Sequence, residues 1–223
     1  MPELKPKRKL FRMVGLLFPA LYAAGDWVTP GAGWFAAAAV LVLFLAIMFT
    51  LEYARFSRPG VNRWLFDHFR SFTKEKERRR TSSTTLFLLA CLITLVVFNK
   101  GVAIAAMLML VFGDPVAEMV GTRWGRTPLL GKSLQGTLAG MAACLAAALP
   151  LSVTSLGVTA GVILCGAIAA TLFELLPLPL DDNFSIPLGA GAAMTLAQVV
   201  ASGNGWTMTL SPVIQGTLAA AGR

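Results

Sequence analysis

From Ser133 to Phe173 the chain runs for 41 residues without one charged side chain. A helix needs about 20 largely apolar residues to cross the hydrocarbon core of a bilayer, so this run holds two spans, with a break expected near Pro150. Further apolar segments stand at Leu10–Ala24, Trp27–Leu51, Thr81–Asn99, Gly101–Val120 and Asn183–Val200, and a weaker, Pro-containing one follows Ser202-Gly203-Asn204-Gly205. Apolar residues are 56% of the chain and charged residues 13%, about half the charged share of a soluble domain. A water-soluble globule, a disordered chain and a disulfide scaffold are excluded. Cys91, Cys144 and Cys165 each lie inside an apolar run and read as buried small hydrophobes. The expected fold is all-α: a polytopic transmembrane helix bundle of about seven spans, with a weak eighth, making one integral membrane domain over residues 1–223.

The charges say how such a bundle is oriented. Of the 19 Lys and Arg residues, five lie between Lys5 and Arg12, nine between Arg55 and Arg80, and three (Arg123, Arg126, Lys132) in one Gly-rich stretch. These clusters flank apolar spans, which the positive-inside rule explains better than nucleic-acid binding does. The first apolar run has a basic start but no clean small-residue cleavage site after it, and reads as a retained helix. With the N-terminus in the cytoplasm and the spans alternating, residues 52–83 form a cytoplasmic basic segment. The Gly121–Lys132 and Pro177–Asn183 loops then share that face. Outward connections keep only Asp26, Lys100 and polar turns.

Polar groups within membrane spans cost about 2.5–3.5 kcal/mol at mid-helix, so each needs a reason. Asp114, Glu118 and Gly121 are spaced by four and three and share one helix face. Gly125 and Gly131 then lead to Lys132 and Ser133 at the expected start of the next helix. Backbone donors there, beside a lysine, suit a phosphate, and the carboxylates suit a divalent cation with phosphate oxygens. A P-loop is excluded, because Arg126 stands where its first glycine belongs. The other reading of this stretch is a small-residue helix interface followed by an ordinary loop. Glu174 ends the long uncharged run, and Asp181-Asp182-Asn183 follows in a Pro-rich turn. Five of the 11 acids fall in these two patches, and helix capping accounts for only one of the later three. A third group is Glu52, Arg55 and Asn62, with Lys74-Glu75-Lys76-Glu77 ahead of Arg78–Arg80. Juxtamembrane cations of this kind bind anionic headgroups without any catalytic role. His68 reads as an interfacial residue, and the tryptophans as interface anchors or packing.

In order and spacing, Gly113-Asp114-x-x-Ala117 with Gly121, Arg123 and Gly125, then Lys132-Ser133-x-x-Gly136, then Glu174, then Asp182-Asn183-x-x-Ile186-Pro187 resemble the CTP-dependent lipid kinases. That family includes dolichol, phytol and CTP-using diacylglycerol kinases. Glu52-x-x-Arg55 and the run ending at Glu77 resemble it too, so the likeness covers most of the chain from Arg8 onward. Two positions depart from the family pattern: Arg12 stands near a frequent His, and Gln135 replaces a frequent Glu. The resemblance implies Mg²⁺-assisted transfer of the γ-phosphoryl group of CTP to the hydroxyl of a membrane lipid alcohol. It assigns Asp114 and Asp182 as metal ligands or base and Lys132 to the phosphates. Gly113, Gly121, Arg123, Gly125, Ser133, Gly136 and Asn183 would form the nucleotide site, with Glu52, Arg55, Glu77, Glu118 and Glu174 in support. A cytidylyltransferase making a CDP-lipid, and a transporter, are the alternatives; a transporter would gather its ionisable residues near mid-membrane instead.

Overall fold

The computed structural model describes residues 13–29, 31–69, 75–203 and 210–221. A 3-10 turn over Met13–Leu16 leads into α1 (Leu17–Val28), α2 (Ala32–Ser57), α3 (Pro59–His68), α4 (Ser83–Val97) and α5 (Lys100–Trp124). A two-stranded antiparallel hairpin, β1 (Pro128–Leu129) with β2 (Lys132–Ser133), joins α5 to α6 (Leu134–Ala148). Helices α7 (Ala160–Leu175), α8 (Asp182–Ser202) and α9 (Pro212–Ala221) follow. Among the described residues, four helical segments are long and apolar enough to cross a membrane: Ala32–Ser57, Lys100–Trp124, Leu134–Val153 and Asp182–Ala201. Three shorter apolar helices, Met13–Val28, Ser83–Val97 and Ala160–Leu175, stand where the remaining spans are expected. Helix α9, where the weak eighth span is expected, has 10 described residues, a rise of about 15 Å.

Short polar side chains start these helices. Ser82, Asn99, Ser133, Thr159 and Asp181 each accept a hydrogen bond from a backbone N–H two or three residues on, the usual device for satisfying first-turn donors. Some boundaries differ from the hydropathy reading. The break between α1 and α2 falls between Val28 and Ala32, where Gly31 takes a left-handed φ of 84°, rather than at Gly25–Asp26. Helix α2 continues past Leu51, carrying Glu52 and Arg55 on its last turns, and ends at Arg58 because Pro59 follows. Helix α5 likewise runs beyond Val120, since nothing in Gly121–Trp124 breaks it before Gly125. The basic residues Lys5–Arg12, Arg70 and Lys74 lie outside the described residues.

Helix α5 is the axis of the bundle, packed by α1, α4, α6, α7 and α8. Val102, Ala103, Met107, Met109 and Leu110 on it are fully buried. By contrast α2 turns Phe35, Leu43, Phe49 and Tyr53 outward, a surface suited to lipid and not to water. Helices α5 and α6 approach through small residues. A Cβ on Gly136 would stand 2.6 Å from the Ala117 carbonyl, and one on Gly140 2.8 Å from the Ala117 Cβ. Lipid tails give helices no hydrophobic reason to associate, so close backbone packing of this kind supplies the attraction.

The two ends of the bundle differ. At the start of α5, Lys100 Nζ pairs with Asp26 Oδ2 at 2.5 Å, and Asn99 Nδ2 donates to Gln198 Oε1 at 2.7 Å. At the other end, the last turns of α2, α5 and α7 meet the first turns of α4, α6 and α8. The acids and cations singled out from the sequence gather there.

Candidate active site

A cleft of about 870 Å³ opens at that second end. One wall is the last three turns of α5, with Asp114, Glu118, Gly121 and Thr122. The second is the hairpin and the start of α6, with Arg126, Thr127, Lys132, Ser133, Gly136 and Thr137. The third is the end of α7 and the entry to α8, with Glu174, Leu178, Leu180, Asp181, Asp182 and Asn183. Residues 60 positions apart in the chain therefore share one concave surface.

Lys132 is delivered by a two-residue turn. Leu130 and Gly131 both take positive φ, 49° and 83°, the backbone a tight β-hairpin demands. Glycine adopts it freely, whereas a leucine does so at a cost of about 1–2 kcal/mol. Gln135 fastens the base of the hairpin: its Oε1 accepts from Arg126 N at 3.0 Å and Thr127 N at 3.2 Å, and its Nε2 donates to Thr127 Oγ1 at 3.2 Å. The ammonium of Lys132 then lies 2.7 Å from Glu174 Oε1 and 3.4 Å from Asp182 Oδ2, and also donates to the Glu174 carbonyl. One cation thus ties the end of α7 to the start of α8.

Behind the third wall lies a buried polar knot. The Arg55 Nε donates to Glu52 Oε2 at 2.8 Å, Nη1 to the Glu77 carbonyl at 2.8 Å, and Nη2 to the Arg80 carbonyl. Glu52 Oε1 accepts from Ser82 N at 2.8 Å and Thr85 Oγ1 at 3.2 Å. Glu52, Arg55 and Glu77 are each buried. These contacts pin the 3-10 turn over Glu75–Arg79 and the start of α4 onto the end of α2. The Ser83 hydroxyl lies 2.9 Å from Glu77 Oε1 and 3.0 Å from Asp181 Oδ2. Asp181 Oδ1 in turn accepts from Asn183 N at 3.1 Å and Asn183 Nδ2 at 2.6 Å. A continuous hydrogen-bonded path therefore runs from the Glu52–Arg55 pair to the residues flanking Asp182.

The candidates from the sequence fall into three positions. Asp114, Glu118, Gly121, Gly125, Lys132, Ser133, Gly136, Glu174, Asp182 and Asn183 all line the cleft. Glu52, Arg55 and Glu77 stand behind it in the knot. Arg123 does not line it, its guanidinium lying over the Trp124 ring at 5.3 Å, and Gly113, packed against Cys144, borders only a small void beneath it. Gly121 and Gly136 serve helix packing as well as the cleft, and the Ser133 hydroxyl caps Gly136 N at 3.2 Å. His68 stacks on Trp64 with ring centroids 4.7 Å apart. Arg126, Thr137 and Ser83 are additions that the structure makes. Arg126 sat in the recognised Gly-rich stretch, but the other two are common hydroxyl residues with no motif to mark them.

Among the described residues, no group of three or more His, Cys, Asp or Glu side chains is arranged to hold a metal. A resident metal cage is therefore a poor fit. Asp114 and Asp182 both line the cleft; a Mg²⁺ ion that arrives with phosphate oxygens of its own takes only one or two protein carboxylates at such sites.

Fold and site together describe a helical protein whose long apolar helices are compatible with a membrane protein, with a mixed-charge cleft at one end of the bundle. An uncharacterized protein of Rickettsia prowazekii is 25% identical over 201 residues, 87% of this chain and 95% of that one. The CTP-dependent diacylglycerol kinase 1 of Schizosaccharomyces pombe is 29% identical over 113 residues, 48% of this chain and 52% of the kinase. The chain thus matches about half the length of that relative, a partial likeness compatible with lipid kinase activity. No protein-family profile and no solved structure matches the chain.

Proposed function

We propose that the protein is a CTP-dependent lipid kinase, moving the γ-phosphoryl group of CTP to the hydroxyl of a membrane lipid alcohol, a polyprenol, phytol or diacylglycerol. The observation that carries this reading is the cleft itself. A lysine, a helix N-terminus and three carboxylates from separate helices converge at one end of an apolar bundle. Phosphoryl transfer asks a protein mainly for positioning and charge neutralisation. Lys132 and the first turn of α6 take the phosphate oxygens, and Arg126 is the second cation on that wall. Asp114 and Asp182 would hold Mg²⁺, which when bound neutralises charge on the phosphates. A bond forms between the alcohol oxygen and the γ-phosphorus as the bond from that phosphorus to CDP breaks, and the hydroxyl proton passes to a carboxylate of the cleft. The Ser83–Asp181–Asn183 path holds the start of α8 in place while this happens. The bundle crosses the membrane about seven times, with the N-terminus and the cleft on the cytoplasmic side, where CTP is found.

The test is purified protein in detergent with γ-labelled CTP and a panel of dolichol, phytol, geranylgeraniol and diacylglycerol. Label in a lipid phosphate with CDP as co-product is the expected result. Pyrophosphate and a CDP-lipid would make the protein a cytidylyltransferase, and no CTP turnover with any acceptor would end the kinase reading.

A further inference from the structure

Beneath the cleft lies a void of about 10 Å³, bounded by Asp114, Thr137 and Glu174 on its polar side and by Met109, Cys144 and Ile186 on its apolar side. Asp114, Thr137 and Glu174 border the cleft as well, so the void is the cleft's floor. All three are buried, each 8% exposed. The Thr137 hydroxyl has no hydrogen-bond partner among the described residues. A buried hydroxyl left unsatisfied is costly, so a ligand that reaches it gains what the fold has left unmade.

Size and charge decide which ligand that is. About 10 Å³ is near the lower limit for one water-sized group. Two carboxylates border the floor, and they repel a phosphate that comes without a cation. They can accept a proton from a neutral hydroxyl, whose oxygen can in turn accept from Thr137. We propose that this floor is the seat of the acceptor's hydroxyl and that Thr137 Oγ1 binds it. This rests on the lipid kinase reading for the kind of acceptor, and it divides the cleft into a phosphate side at Lys132 and an acceptor side at Thr137.

The test is binding without nucleotide, so that it does not depend on turnover. The full chain in detergent is challenged with radiolabelled 1-hexadecanol, competed by unlabelled 1-hexadecanol or hexadecyl methyl ether at fixed detergent concentration. Wild type should prefer the alcohol to the ether. Thr137→Val, which keeps the shape and removes the hydroxyl, should weaken 1-hexadecanol binding about three- to tenfold, the range of one hydrogen bond, and leave the ether unchanged. Thr137→Ser should bind as wild type does. Equal binding of alcohol and ether by wild type, unchanged selectivity in Thr137→Val, or no binding of 1-hexadecanol at all would each overturn the assignment. Discrimination at Thr137 without CTP turnover would refute the kinase reading alone, and CTP turnover without discrimination would refute the floor assignment alone.

Discussion

Removing the Lys132 ammonium separates its two roles, one in folding and one in phosphate binding. In Lys132→Ala, Glu174 and Asp182 lose the cation that lies 2.7 and 3.4 Å from them. Breaking a fully buried pair costs about 3–5 kcal/mol, while an exposed pair is worth at most about 1 kcal/mol. The Glu174 side chain is 10% exposed, but those of Lys132 and Asp182 are 34% and 40% exposed. The expected destabilisation therefore lies between those limits, at about 1–3 kcal/mol. Most of it is the penalty on Glu174, so adding Glu174→Gln should return most of the lost stability. Activity should not return. Losing one preorganised contact to a developing charge typically costs about 10²–10³ in rate, and the double variant still lacks it. Thermal unfolding in detergent and label transfer from γ-labelled CTP measure the two quantities on the same preparation. If the double variant regains activity along with stability, Lys132 is a structural staple and the phosphate assignment is wrong.

Asp114→Asn and Asp182→Asn should each lower turnover by about 10²–10³ with normal gel-filtration behaviour, while Asp67→Asn and Arg63→Ala, exposed on α3, change it little; near-wild-type rates in either Asp variant would remove the metal assignment. Ser83→Ala deletes the hydroxyl between Glu77 and Asp181, and should cost about 1 kcal/mol in unfolding and lower kcat more than it raises the KM for CTP, with Ser83→Thr restoring both. Gly136→Ala places a methyl 2.6 Å from the Ala117 carbonyl, and the resulting overpacking of α5 on α6 should cost about 1–3 kcal/mol, read as a lower unfolding temperature. Cysteines at Thr81, Arg123 and Pro179, exposed positions at the cleft end, should react with an impermeant thiol reagent only after the cytoplasmic face is opened, in a background where the exposed Cys165 is replaced by Ser; labelling in intact cells would reverse the orientation.

Much of this architecture is local, and local features are legible in a sequence. Whether a segment such as Ser133–Phe173 becomes helix in lipid depends on its own hydropathy, since an unpaired backbone has no water to turn to there. The breaks near Pro150 and at Pro59 follow from the missing N–H and the restricted residue before proline. The spacing of Asp114, Glu118 and Gly121 places the three residues on one helix face whatever the packing, and all three border the cleft. What a sequence carries poorly is where a helix ends when charge appears before a breaker. Glu52 and Arg55 look like the start of a polar segment, yet they remain on α2 because they neutralise each other at 2.5 Å and are buried by the turn that folds over them. The same holds for partners far apart in the chain. Lys132 meets Glu174 and Asp182, and Ser83 meets Asp181, only once α4, α6, α7 and α8 have packed around α5. Thr137 shows the limit most plainly: one hydroxyl among many in an Ala- and Gly-rich run, distinguished only because tertiary packing left it buried, unpaired among the described residues and beside two carboxylates.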